Sequence, residues 1–177
     1  MLNRIKKFVK SVFEKKQYYF GYGLWLDVQK MEQRGSKFIG AGVLKNWSLR
    51  ERRYADIEQD SDGVVNGAVY EIDKLVEAWL DNCEGYPSFY GKEFVTVEVN
   101  GRKRKVLVYV MNPEFANKFD DEPFTFSYAN GNMESAIKNG IPVDDLYRNR
   151  VATIQIGWQE DDEVGGYYAN YVDSDEY

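Results

Sequence analysis

The chain has 177 residues, 44% of them hydrophobic and 16% aromatic, enough apolar surface for one compact domain with its own core. It carries a single cysteine, Cys83, and no histidine, which excludes an internal disulfide framework, a Cys/His zinc site and any nucleophile triad built on His. Acid/base chemistry must therefore come from Glu, Asp, Lys or Tyr, and no metal site is expected; the net charge of −6 hides a basic start and an acidic end.

In residues 1–17, Leu2, Ile5, Phe8, Val9, Val12 and Phe13 recur at helical spacing while Lys and Arg fill the other face. A basic amphipathic helix is expected there. A helix this short is marginal alone, so it is expected to pack on its own domain rather than lie on an anionic membrane surface. No apolar run approaches the ~20 residues needed to cross a bilayer, and the N-terminus lacks the apolar core of a signal peptide, which together point to a cytoplasmic protein. The tail, residues 159–177, holds Glu160, Asp161, Asp162, Glu163, Asp173, Asp175 and Glu176, with no base after Arg150. It is expected to be flexible or loosely docked. With these seven acids set aside, the rest of the chain, residues 1–158, is close to neutral at +1, and the body, residues 18–158, shows no electrostatic footprint for nucleic acid.

Within the body, Tyr18, Tyr19 and Phe20 form a buried strand that runs into a turn at Gly21-Tyr22-Gly23, where two glycines let backbone N–H groups approach a ligand closely. Residues 27–34 form a short helix and residues 38–49 a longer strand. Arg50, Glu51, Arg52 and Arg53 read as a solvated crossover. A strand over residues 54–58, a turn at Ser61-Asp62-Gly63 and a strand over residues 64–72 follow.

Leu75, Val76, Trp79 and Leu80 then make an apolar stripe at helical spacing, with Asp73 as N-cap and Gly85 as the stop. Glu84 falls at the negative end of that helix, where the macrodipole disfavours its ionised form and raises its pKa, as suits a general base. The plainer alternative is a solvated acid beside a C-cap glycine. Cys83, with no basic neighbour in sequence, reads as an inert thiol.

Two alternating runs joined by Asn100-Gly101 predict a hairpin, and a two-residue loop there pairs Tyr90 with Met111, Lys92 with Tyr109 and Val95 with Val106. Tyr90, Phe94, Leu107, Tyr109 and Met111 then share one face, Val95, Val97, Val106 and Val108 the other, so that two tyrosine hydroxyls lie just beyond Glu84. Residues 112–127 read as a loop. Met133, Ala136 and Ile137 mark a helix closed by Gly140 and Pro142; residues 143–150 form a second helix and residues 151–158 a strand.

In order along the chain, Tyr19-Phe20-Gly21-Tyr22-Gly23, Val64-Val65-Asn66-Gly67-Ala68-Val69-Tyr70, Leu80-Asp81-Asn82-Cys83-Glu84-Gly85 and Val108-Tyr109-Val110-Met111 resemble the gamma-glutamylcyclotransferase-like family, which includes the AIG2-like proteins. The segment from Gly131 through Asn139-Gly140-Ile141-Pro142 looks like the late helix of the true gamma-glutamylcyclotransferases. The resemblance implies an α+β fold, a small mixed β-barrel with helices around it and a cavity inside. It implies a cofactor-independent reaction in which the α-amine of a γ-glutamyl group attacks its own γ-carbonyl, closing 5-oxoproline and expelling an amine. Glu84 is the implied general acid/base; Tyr22, Gly23, Leu24, Trp25 and Leu26 hold the γ-glutamyl moiety, and Tyr90 and Tyr109 position it. The family's turn is YGSNL, whereas this chain has Leu24 and Trp25 in place of Ser and Asn, which makes the pocket more apolar. The implied partner is thus a small molecule with a γ-glutamyl-like group. The alternatives are a non-catalytic binding or sequestering protein on the same fold, and a related acyl-transfer or amide-cleaving enzyme.

Overall fold

The computed structural model describes residues 16–161, with side chains through residue 154. The expected N-terminal helix and residues 162–177 of the acidic tail lie outside the described residues. Five strands, β1 (Gln17–Gly21), β2 (Lys37–Arg52), β3 (Tyr54–Ile72), β4 (Tyr90–Val99) and β5 (Arg102–Met111), close into a barrel in the order β1-β3-β2-β4-β5. β1 runs antiparallel to β3 and parallel to β5, so the barrel is mixed, as the resemblance implied. Around it lie α1 (Val28–Gln33), α2 (Lys74–Cys83), α3 (Pro113–Lys118), α4 (Phe126–Lys138) and α5 (Asp145–Asp161). Among the described residues, no helix is long and apolar enough to cross a membrane.

The β4–β5 hairpin has the expected register, Tyr90 opposite Met111 through Val99 opposite Arg102. Asn100 and Gly101 have φ of 50° and 68°, the left-handed pair a two-residue hairpin turn requires. Inside the barrel the Phe20 ring reaches β3, and a Cβ on Gly67 would stand 2.6 Å from its Cζ, so the glycine makes the room that the phenyl group fills. Leu107, Tyr109 and Met111 are buried on the face opposite Val106 and Val108, while Phe94, at the far end of the same face, is 57% exposed.

Four sequence expectations need correction. Ser61-Asp62-Gly63 is not a turn between two strands but part of a bulge in β3: Lys45 pairs with Val64 and Trp47 with Gln59, leaving one residue of β2 against four of β3. The Asp60 carboxylate braces it, accepting from the Ser48 hydroxyl at 2.6 Å and the Asp62 N–H at 3.1 Å. Residues 112–127 are not one loop, because Pro113 opens α3 and Thr125 caps α4, its hydroxyl accepting from the Tyr128 N–H at 3.3 Å. Residues 151–158 are helical, the continuation of α5, since Tyr147 and Val151 are both buried one turn apart. β propensity at Val, Thr and Ile yields there to packing against α4.

The fourth correction concerns the arginine run. Rather than a solvated crossover, it is the tip of the β2–β3 hairpin and carries an ion-pair network. The Arg52 guanidinium donates to Asp56 at 2.6 Å and to Glu58 at 2.8 Å, with side-chain exposures of 12% for Arg52 and 1% for Asp56. The other Asp56 oxygen accepts the Met111 N–H at 2.8 Å, so this pair ties the hairpin to the end of β5. Glu51 accepts from Arg150 and from the Phe124 N–H, both at 2.8 Å, fastening α5 and the start of α4 to the same tip. Arg52→Met, which strands a buried carboxylate, is expected to cost about 3–5 kcal/mol in urea unfolding, while Arg50→Ala at the exposed pair with Glu58 costs about 1 kcal/mol or less. A loss at Arg52 no larger than that at Arg50 would show that the network is not structural.

Candidate active site

Strand β1 ends at Gly21, and the chain leaves the barrel mouth through one turn of 3-10 helix, Leu24–Leu26. Three tyrosine hydroxyls hold this excursion by its backbone or brace it: Tyr147 donates to the Tyr22 carbonyl at 2.9 Å, Tyr70 to the Trp25 carbonyl at 2.7 Å, and Tyr22 itself to the Tyr109 carbonyl at 2.7 Å. Leu26 is buried at 2% and Leu24 is exposed at 46%, so of the three side chains in the turn Trp25 is the one aimed at the end of α2.

There α2 stops as its sequence dictates. The Asp73 carboxylate accepts the Leu75 and Val76 N–H groups at 2.9 and 3.0 Å, capping the start. At the other end Gly85 takes φ +60°, and its N–H and that of Tyr86 reach back to the carbonyls of Asn82 and Asp81, a Schellman closure that makes Glu84 the C-cap. Glu84 is half-buried as a residue, but its carboxyl is packed in protein and accepts the Trp25 indole N–H at 2.5 Å. Burial pushes its pKa up to about 7, with the indole donor pulling in the opposite sense. The raised pKa expected from the helix end thus has burial as its principal cause.

Tyrosines surround this carboxyl. Burial raises the hydroxyls of Tyr19, Tyr22, Tyr90, Tyr109 and Tyr128, and the charge on Glu84 adds to the rise in each, so all stay protonated donors. Tyr109 donates to Asp81 at 2.6 Å, and Lys92 neutralises that aspartate at 2.6 Å while also meeting Glu77 at 2.9 Å. Tyr90 donates to the Ala55 carbonyl at 2.9 Å, and the N–H of the same residue donates to Tyr128 at 3.0 Å. Gly23 lies under Tyr128, whose hydroxyl would stand 2.8 Å from a Cβ placed there.

Of the residues singled out from sequence, Trp25 meets Glu84 directly and Tyr22, Tyr90 and Tyr109 lie within reach of its charge; Leu26 turns into the core and Leu24 to the surface. Tyr19, Tyr128 and Asp81 were missed as site residues. Tyr19 could have been found by alternation along β1, its ring lying 5.9 Å from that of Tyr109. Tyr128 had no local signal. Cys83 is exposed, and burial near Glu84 raises its thiol, which keeps it protonated. Among the described residues, no cluster of three or more Cys, Asp or Glu is arranged to hold a metal ion. Two surface grooves, of about 810 and 560 Å³, lie elsewhere, between the β3 bulge and β4 and beside the arginine tip; neither is lined by Glu84 or Trp25.

The sequence pattern of the family described as Gamma-glutamyl cyclotransferase, AIG2-like matches residues 19–128. No curated protein matches the chain in sequence. Among solved structures, the uncharacterized protein loc79017 from Homo sapiens is 20% identical with a TM-score of 0.62, covering 92% of this chain and 95% of its own. A structure titled gamma-glutamyl cyclotransferase is 20% identical with a TM-score of 0.63, covering 90% and 94%. A gamma-glutamyl cyclotransferase specific to glutathione from yeast is 15% identical with a TM-score of 0.58, covering 80% and 96%. These likenesses establish a shared barrel fold, and with the sequence match across more than half of its length the chain belongs to the gamma-glutamyl cyclotransferase, AIG2-like family.

Proposed function

We propose that the protein is a gamma-glutamylamine cyclotransferase-type enzyme with Glu84 as its general acid/base. The observation that carries this is a carboxyl at the C-cap of α2, bonded to the Trp25 indole beside the end of β1, which burial holds well above the usual carboxylate range among buried tyrosine hydroxyls. In the reaction the substrate's α-ammonium gives a proton to Glu84, and the freed amine attacks the γ-carbonyl carbon. A new N–C bond closes the ring; as the C–N bond to the leaving amine breaks, Glu84 passes the first proton to the leaving nitrogen and the ring nitrogen sheds its second proton by the same route, which gives the neutral lactam 5-oxoproline and a leaving amine that departs as its ammonium. Nothing is oxidised or reduced and no co-reactant is consumed. Tyr90 and Tyr109 would orient the γ-glutamyl group, while backbone N–H groups of the turn at Gly23, Leu24 and Trp25 would stabilise the developing oxyanion, the Leu26 N–H being taken by the Gly23 carbonyl.

A second reading, ligand binding without turnover, has one observation behind it: Trp25 already occupies the carboxyl. Glu84→Gln separates the two. With a panel of γ-glutamyl amines and 5-oxoproline detected by mass spectrometry, an enzyme loses ~10²- to 10⁴-fold in turnover on this change. A binding protein makes no 5-oxoproline in either form. Wild-type turnover unaffected by Glu84→Gln would remove the acid/base assignment. For the enzyme, kcat/KM is expected to rise with pH through about 7, since the base must be ionised before it can take the ammonium proton.

Stability provides a test independent of chemistry. A carboxyl whose pKa is higher folded than unfolded binds protons more tightly in the native state, so stability is greatest below pH 4.5 and falls as pH rises to about 7. The total is on the order of 2–3 kcal/mol for a half-buried group. Glu84→Gln is expected to flatten this decline in urea unfolding and to be more stable than wild type at pH 8; parallel pH profiles would contradict a raised pKa.

A further inference from the structure

We propose that Trp25 is a latch on the acid: its indole N–H holds the place on Glu84 that a ligand's ammonium must take, so the site opens only when the ring leaves the carboxyl. This rests on the reading of Glu84 as the group that meets the substrate amine. The geometry supplies the grounds. The donor lies 2.5 Å from Oε1 and Trp25 is only 9% exposed, so the buried ring covers the oxygen it bonds. The ring is fixed at its edge, against Trp79 at 4.9 Å between centroids and 65° between planes, with the Arg34 guanidinium 5.0 Å from the far ring.

The backbone beneath is anchored separately. Tyr70 holds the Trp25 carbonyl, and the Leu26 N–H closes on the Gly23 carbonyl at 2.9 Å, so the side chain can change rotamer without unwinding the turn. Exchange also has a direction. An ammonium on a carboxylate makes a stronger bond than a neutral N–H, so a ligand bearing one displaces the indole, whereas an analogue with that nitrogen acylated does not. Trp25 is in this sense a specificity-determining residue: it makes a free α-ammonium the condition for entry. Binding also forfeits the Trp25 bond, so affinity is lower than the carboxyl alone would provide.

The test uses the full chain with N5-methyl-L-glutamine (γ-glutamylmethylamide), a minimal γ-glutamyl amine, and its Nα-acetyl derivative as probes. The indole N–H resonance of Trp25, assigned by its loss in Trp25→Phe, is followed at pH 8. It is expected to move toward the position of an unbonded indole with the first probe and to stay in place with the second. Trp25→Phe keeps a ring against Trp79 and removes the donor, and is expected to bind the first probe roughly 10-fold tighter. Equal or weaker binding by Trp25→Phe would overturn the latch while leaving Glu84 as the ammonium site. Binding by neither protein, or binding unchanged by adding Glu84→Gln, would overturn the acid assignment and the latch with it.

Discussion

Strand β1 is five residues long, yet it closes the barrel, pairing antiparallel with β3 through Phe20 opposite Val69 and touching β5 in parallel at Tyr19 opposite Leu107. A closed barrel leaves no free edge at that seam. It also leaves the chain only one way out, over the mouth, and the distance from Gly21 to Trp25 is covered in a single tight turn. β3 ends at Ile72, opposite Gln17 at the other end of β1, and the ten residues of α2 then carry the chain back to that turn, where the C-cap Glu84 meets Trp25. Barrel closure therefore brings together an indole and a carboxylate that are 59 residues apart.

The chemistry of the site follows from which groups are paired. Asp81 and Glu77, one turn apart on α2, share Lys92; burial works to lower that cation's pKa, but the hydrogen bonds and charges of the two carboxylates outweigh it and hold the lysine above its ordinary range. Glu84 has a neutral donor instead of a cation, so desolvation prevails and its pKa rises. One helix thus presents carboxylates in two states: Glu77, lowered by Lys74 and Lys92 against the opposing effect of burial, and Glu84, raised to near neutrality. A pair of environments that separates the pKa values of like groups is the arrangement acid/base catalysis needs.

Features written in local sequence were legible. Asn100-Gly101 specified its hairpin and register because two left-handed residues suffice to reverse a strand, and Glu84-Gly85 marked the end of α2 because the Schellman closure involves only residues 81–86. What depended on distant contacts was not. Tyr128 meets Ala55 across 73 residues and Tyr147 meets Tyr22 across 125. The burial of Asp56 requires the end of β5 and Arg52 together. Residues 151–158 alternate like a strand, and only the packing of Tyr147 and Val151 beside α4 makes them helical. Trp25 was legible as a departure in the turn, but its bond to Glu84 required the barrel to close first.

The central claim, a carboxyl lifted by burial and restrained by one indole donor, is most directly tested by titrating the side-chain carboxyl of Glu84 with ¹³C NMR in wild type and in Trp25→Phe. The resonance, assigned by its loss in Glu84→Gln, is expected to titrate near 7 in wild type and higher still in Trp25→Phe, because the lost donor stabilised the ionised form. A midpoint near 4.5 in both proteins would contradict the account, since it would mean that the carboxyl stands in water and meets no indole.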